Sequence, residues 1–143
     1  GKAMIVVDTG PLVALFDKDD CYHKLCKETL KRVREPLITN WAVLTEVMYL
    51  LDFSLIAQNL CFDFIESGGI DTRHGNASQI YRIHQLLKQY NDLPIDFADA
   101  SIVALSEEEN IKTVFTLDHK DFRIYSPKHT KAFHLIPDKI PKR

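Results

Sequence analysis

Short apolar runs alternate with longer, helix-spaced stretches along the whole chain. Few architectures accept that order. Strands that are each followed by a helix build a parallel sheet covered on both faces. The first run, Met4–Val7, is rich in β-branched residues and reads as a buried strand. Pro36–Thr39 reads as a second strand, with Pro36 at its first position, where the ladder tolerates proline. Ile70–Arg73 is a weaker candidate, followed by Thr113–Thr116 and Ala132–Ile136. The pattern predicts an α/β fold, specifically a three-layer α/β/α sandwich with a central parallel sheet.

The helices carry their own punctuation. Pro11 suits the first turn of a short helix over Leu12–Phe16. Asp19 or Asp20 can cap a second helix that runs to about Val33. Asn40 caps a third, Trp41 to Leu51, which is apolar on most of its circumference and so is expected to be buried. An amphipathic stretch, Ser54–Glu66, ends at Gly68-Gly69. Asn76–Tyr90 places Ile80, Ile83, Leu86 and Leu87 at helical spacing. Asp96–Glu109 does the same with Ala98, Ile102 and Leu105, and Asn110 closes it.

The 143 residues suit one domain, expected over residues 4–137. Gly1-Lys2-Ala3 reads as an expression scar, and residues 138–143 as a loose tail.

Four carboxylates stand out against this frame. Asp8 ends the first strand, and Glu46 is the only charge between Trp41 and Leu51. Asp99 lies inside Phe97–Val103, and Asp118 follows Val114-Phe115-Thr116-Leu117. Acids so placed lie near a core, where an unpaired charge is costly. No cluster of Lys or Arg adjoins them in sequence. A divalent metal is the simplest cation to gather them.

In an open parallel sheet the active crevice lies beyond the carboxyl ends of the strands. If the strands bearing Asp8 and Asp118 are neighbours, these acids face each other at one rim. Asp99, in the first turn of its helix, lies close to the same rim. Glu46 sits deeper in its helix. Four carboxylates in one pocket cannot all ionise at neutral pH unaided. Mg²⁺ and Mn²⁺ prefer oxygen ligands and fit such a set. The chemistry implied is hydrolysis of a phosphodiester without a covalent enzyme intermediate.

Other classes are disfavoured. No apolar run approaches the ~20 residues of a membrane span, and no partner membrane is expected. Cys21, Cys26 and Cys61 form no C-x-x-C pair, which argues against a disulfide framework or structural zinc and for a reducing cytoplasm. The net charge of −2 argues against tight, non-specific nucleic-acid binding. Lys24, Lys27, Lys31 and Arg34 read as a solvated helix face. The six histidines lack H-E-x-x-H or zinc-finger spacing, and neither a phosphate loop nor a G-x-S-x-G elbow is present. A phosphatase with an Asp nucleophile would need a second Asp where Gly10 stands.

The same residues carry a family resemblance. Met4–Phe16, with Asp8-Thr9-Gly10-Pro11 inside it, resembles the opening motif of PIN-domain proteins of the VapC toxin type. Glu46, after Thr39–Thr45, matches that family's helical glutamate. Pro94–Ser101 resembles its third acidic motif, and Thr113–Phe122 its fourth. Four motifs in order, spanning Met4 to about Pro137, make the likeness specific.

The resemblance implies a Mg²⁺- or Mn²⁺-dependent endoribonuclease on a PIN-like sandwich, the toxin of a type II toxin–antitoxin pair. It implies an RNA substrate such as tRNA, a homodimer and a small antitoxin that inserts near the acidic pocket. It makes Asp8, Glu46, Asp99 and Asp118 the catalytic and metal-binding set, with Thr9 and Thr116 as nearby hydroxyls. The alternative is a non-catalytic PIN-fold module that binds or regulates a partner.

Single residues have plainer readings too. Asp96 and Asp99, three apart, resemble a capping box, so Asp96 is expected chiefly to cap, with an outer role at the site second. Asp121 reads as structural or outer-shell. His119, beside Asp118, is a weaker candidate for a phosphate contact. Trp41 and Phe97 are expected to pack rather than to stack on bases.

Overall fold

A computed structural model describes residues 3–142. Gly1 and Lys2, and with them most of the expected scar, lie outside the described residues, as does Arg143. Five strands, β1 (Ile5–Val7), β2 (Leu37–Asn40), β3 (Asp71–Arg73), β4 (Thr113–Phe115) and β5 (His134–Ile136), form one sheet in the order β3-β2-β1-β4-β5. Each pairing is parallel. Every residue of β1 and β2 is buried. Burial on both faces explains why their apolar runs do not alternate with polar residues.

The chain starts in the middle of the sheet. It steps one way through β2 to β3, then crosses back to β4 and β5. The winding therefore reverses between β1 and β4, the point where an open parallel sheet leaves a crevice. Helices α1 (Thr9–Phe16), α2 (His23–Arg32), α3 (Trp41–Leu50) and α4 (Leu55–Glu66) lie in the outward crossovers. Helices α5 (Ala77–Gln89) and α6 (Phe97–Glu109) lie in the return crossover. Right-handed connections put the two groups on opposite faces. The packing agrees: α1 touches α2, α3 and α4, while α5 lies along α6. The sandwich expected from the sequence is the one found.

Several local expectations need correction. Helix α1 starts at Thr9, not Leu12, because Asp8 itself caps it. Helix α2 starts at His23 with no side-chain cap; Asp20 instead accepts from Tyr22 N at 2.8 Å in the preceding turn. A short helix, α7 (His119–Phe122), escaped the sequence reading because four residues show no periodicity. Helix α3 is not buried all round. Val43 and Val47 face the core, but Trp41 is 61% and Tyr49 74% exposed. An apolar circumference does not distinguish burial in the chain's own core from a face left for another molecule.

Candidate active site

The adjacency of β1 and β4 sets the rim. Val7 stands opposite Phe115, and Asp8 N donates to Phe115 O at 2.9 Å. One residue further on, Thr116 Oγ1 donates to Asp8 Oδ2 at 2.8 Å. The same Thr116 oxygen accepts from Asp118 N at 3.0 Å. Asp8 Oδ1 meanwhile accepts from Thr9 N at 2.8 Å as the cap of α1. Asp8 is thus a buried carboxylate with a donor on each oxygen, tied through one hydroxyl to the turn that bears Asp118.

Asp99 arrives from the opposite face. Asp96 Oδ1 accepts from Asp99 N at 2.9 Å, and Asp99 Oδ2 accepts from Asp96 N at 3.2 Å. This reciprocal capping box is the one the spacing predicted. It fixes Asp99 at the positive end of α6. Asn40 then joins α6 to α3. Its Oδ1 accepts from Val43 N at 3.0 Å, and its Nδ2 donates to Ser101 Oγ at 3.0 Å. Glu46 follows from that anchored start, about 7.5 Å further along the α3 axis. It lines an open groove of ≈ 590 Å³ with Thr45, Tyr49, Asp96 and Phe97.

The four acids feel one another. Burial pushes the Asp8 carboxyl up to about 6, against the opposing pull of Thr116 and Thr9 N, and the charges of Asp118 and Glu46 push the same way. Burial also raises Asp99, to about 8, with the Asp8 and then the Asp96 charge adding to it. Glu46 is raised by burial and by Asp96. Asp118 is raised by burial and by Asp121, with Asp121 N and Lys120 opposing. Asp8 thus feels Asp118 and Glu46, and Asp99 feels Asp8. Lys120, acting on Asp118, is the one cation among the described residues that acts on these four acids.

Hard oxygen donors that repel one another suit a hard divalent cation. The Thr9 hydroxyl is buried beside them with no hydrogen-bond partner. Among the described residues, no group of three or more His, Cys, Asp or Glu side chains forms a ready-made cage.

The other expectations fall out as follows. Asp121 N donates to Asp118 Oδ1 at 3.2 Å, so Asp118 also caps α7. His119 is buried and held towards its neutral form by burial. Trp41 and Phe97 are largely exposed, contrary to the packing expected of them, although Trp41 leans on His74 at 5.2 Å between ring centroids. Tyr125 was missed. It is buried near Asp99, Asp121 and Asp118, but Ile124-Tyr125-Ser126 carries no pattern that marks it.

A profile of the PIN domain family matches residues 5–126. Ribonuclease VapC26 of Mycobacterium tuberculosis is 25% identical over 135 residues, covering 93% of this chain and all of that protein. The crystal structure of Mycobacterium tuberculosis VapC20, a Sarcin-Ricin loop cleaving toxin, superposes with a TM-score of 0.70 at 21% identity, covering 77% of this chain and 86% of that one. VapBC2 from Rickettsia felis, bound to a DNA fragment from its promoter, gives 0.64 at 20% identity over 92% and 96%. A toxin–antitoxin complex from Klebsiella pneumoniae gives 0.65 at 19% identity over 82% and 89%.

Proposed function

The chain belongs to the PIN domain family, and from that premise we propose that it is a metal-dependent endoribonuclease of the VapC type, the toxin of a toxin–antitoxin pair. The observation that carries the reading is the one Thr116 hydroxyl that ties Asp8 to the backbone of Asp118 at the winding reversal between β1 and β4, with Glu46 and Asp99 close enough for charge to act between each of them and Asp8. Such a site is built to be completed by a cation. The ribonuclease named at 25% identity supports the substrate class.

In this reading Asp8 and Asp99 hold the ion, with Glu46 and Asp118 reaching it directly or through water. Mg²⁺ or Mn²⁺ bound there supplies a Lewis acid for the phosphodiester and a lowered pKa for the attacking water. Asp8 contributes a carboxylate that cannot swing, because Thr116 and Thr9 N hold both oxygens. Asp99 contributes a second carboxylate from the first turn of α6. Thr116 orients Asp8 and Asp118 together; Thr9 offers its unpaired hydroxyl; Asp96 holds Asp99 through the capping box.

Residues 4–137 act as one PIN-like unit. The partners proposed are an RNA such as tRNA, a second copy of the chain and a small antitoxin. Solved neighbours include toxin–antitoxin complexes, which supports the antitoxin. Exposed Tyr49, Leu50, Phe53, Leu55 and Ile56 run from α3 into α4, apolar surface of the kind a protein partner covers. No helix among the described residues is long and apolar enough to cross a membrane. Three free cysteines fit the cytoplasm.

The test is cleavage of RNA by the purified protein in Mg²⁺ or Mn²⁺, lost with EDTA and restored by adding the ion back. Antitoxin binding with no cleavage under any metal condition would instead support the non-catalytic reading.

A further inference from the structure

Beside the acidic groove lies a smaller cavity of ≈ 180 Å³. Trp41, Phe97 and Ile80 line it with apolar surface, and Asn40, Gln79 and Ser101 with polar groups. Phe97 and Ala42 line both cavities, so the two adjoin. The sheet sets the position of the smaller one. Asn40 ends β2 and caps α3, and Gly75 follows the end of β3. All strands run parallel, so the slot lies at the rim that carries Asp8 and Asp118 beyond β1 and β4. Strand spacing puts β2 about 5 Å and β3 about 10 Å from β1.

The walls of the slot are out of keeping with a core. Trp41, Phe97 and Ile80 are exposed, whereas Asn40, Gln79 and Ser101 are buried. Asn40 and Ser101 satisfy each other. Gln79 Nε2 donates to Glu108 Oε2 at 2.5 Å, but Gln79 Oε1 accepts no hydrogen bond among the described residues. A Cβ on Gly75 would stand 3.8 Å from that oxygen, so glycine leaves it uncovered. Bare aromatic rings offer a stacking face to a nucleobase. A base is also planar and carries N–H groups at its edge. An aliphatic side chain would match the rings and leave the amide oxygen unused.

Resting on the functional reading above, we propose that the slot lined by Trp41 and Phe97 takes an unstacked base of the RNA, next to the phosphate held at the acids. The base stacks on these rings and offers an edge N–H to Gln79 Oε1. Phe97 links the two sites, since it opens the helix whose first turn holds Asp99. A base inside a duplex is already stacked and paired, so the slot selects single-stranded RNA.

Trp41 is the only tryptophan in the chain, so its fluorescence reads the slot directly. EDTA-treated protein is titrated with a short single-stranded oligoribonucleotide, with the same strand annealed to its complement, and with an abasic strand of equal length. The single strand is expected to quench Trp41, and the duplex and abasic strand to quench it little. Phe97→Ala should raise the concentration for half-quenching about tenfold, and Phe97→Tyr, which keeps a ring, should restore it. Both variants should keep the wild-type Tm by circular dichroism, because Phe97 is exposed. Equal quenching by intact and abasic strands overturns the inference. So does Phe97→Ala that is quenched like wild type, which would leave the slot to a protein side chain. Quenching as expected without RNA cleavage in Mn²⁺ supports the slot and overturns the nuclease reading; cleavage without quenching overturns the slot alone.

Discussion

Thr116 Oγ1 lies 2.8 Å from Asp8 Oδ2 and donates to it, although 108 residues separate them in the chain. That bond is the shortest description of the site: two neighbouring strands, each ending in a polar residue, joined at the rim. Thr116→Val removes the hydroxyl at nearly constant volume. It leaves Asp8 Oδ2 without its donor and Asp118 N without its acceptor. The expected loss is ~1–3 kcal/mol of folding free energy, read from urea unfolding. RNA cleavage should fall as well. Thr116→Ser should retain most of both, and a Val variant that matches wild type in both would remove Thr116 from the account.

Asp8→Asn and Asp99→Asn separate function from folding. Each keeps the shape of the side chain and its ability to accept a backbone hydrogen bond, but not its charge. Cleavage in Mg²⁺ or Mn²⁺ should fall by about 10² or more, the scale of several kcal/mol of lost charge stabilisation. The ion-free proteins should be at least as stable as wild type, since a destabilised buried charge is gone. Cleavage at the wild-type rate by Asp8→Asn is the result this reading cannot survive.

The acidic site makes ion-free stability depend on pH with a definite sign. Asp99 has a folded pKa of about 8, against 3.8 for the free side chain. The folded state then binds the proton more tightly than the unfolded one. Its contribution is complete below the unfolded value and is lost as pH rises through the folded one. Asp8, at about 6, acts the same way at lower pH. Above about pH 6.5, His119 is neutral in both states and no longer contributes. The Tm of EDTA-treated protein should therefore fall between about pH 6.5 and about pH 8.5, and millimolar Mn²⁺ should restore it most at the alkaline end. A Tm that stays level or rises over that interval would contradict the assignment.

Asp96 should behave as a cap first. Asp96→Ala removes the acceptor for Asp99 N and should cost about 1 kcal/mol. Asp96→Ser keeps an acceptor and should recover that stability along with most of the cleavage. If Asp96→Ser is as inactive as Asp8→Asn, the carboxylate has a direct part in the chemistry.

The apolar surface of α4 should matter only for assembly. Leu55→Glu combined with Ile56→Glu alters two exposed residues and should leave the Tm nearly unchanged. Sedimentation equilibrium should show the wild type as a dimer and the double variant as a monomer at micromolar concentration. A variant that stays dimeric would move the interface off this helix.

The sandwich and its rim were legible because they rest on period and position. β-branched runs that end in Asp8 and Asp118 mark strand ends, and Asp96-x-x-Asp99 announces its own capping box. Two kinds of feature were not legible. Exposure on α3 depends on what lies beyond the chain, so an apolar Trp41–Leu50 said nothing of which face would be bare. Tyr125 depends on three-dimensional proximity to acids that come from separate elements, and no spacing in the sequence encodes that.

The reversal of winding at β1 has a consequence for biosynthesis. The first acid of the pocket precedes by 108 residues the hydroxyl that orients it, which sits just past a strand that must slot in beside β1. A nascent chain on the ribosome, or a fragment cut short before β4, carries an incomplete pocket however well its first half folds.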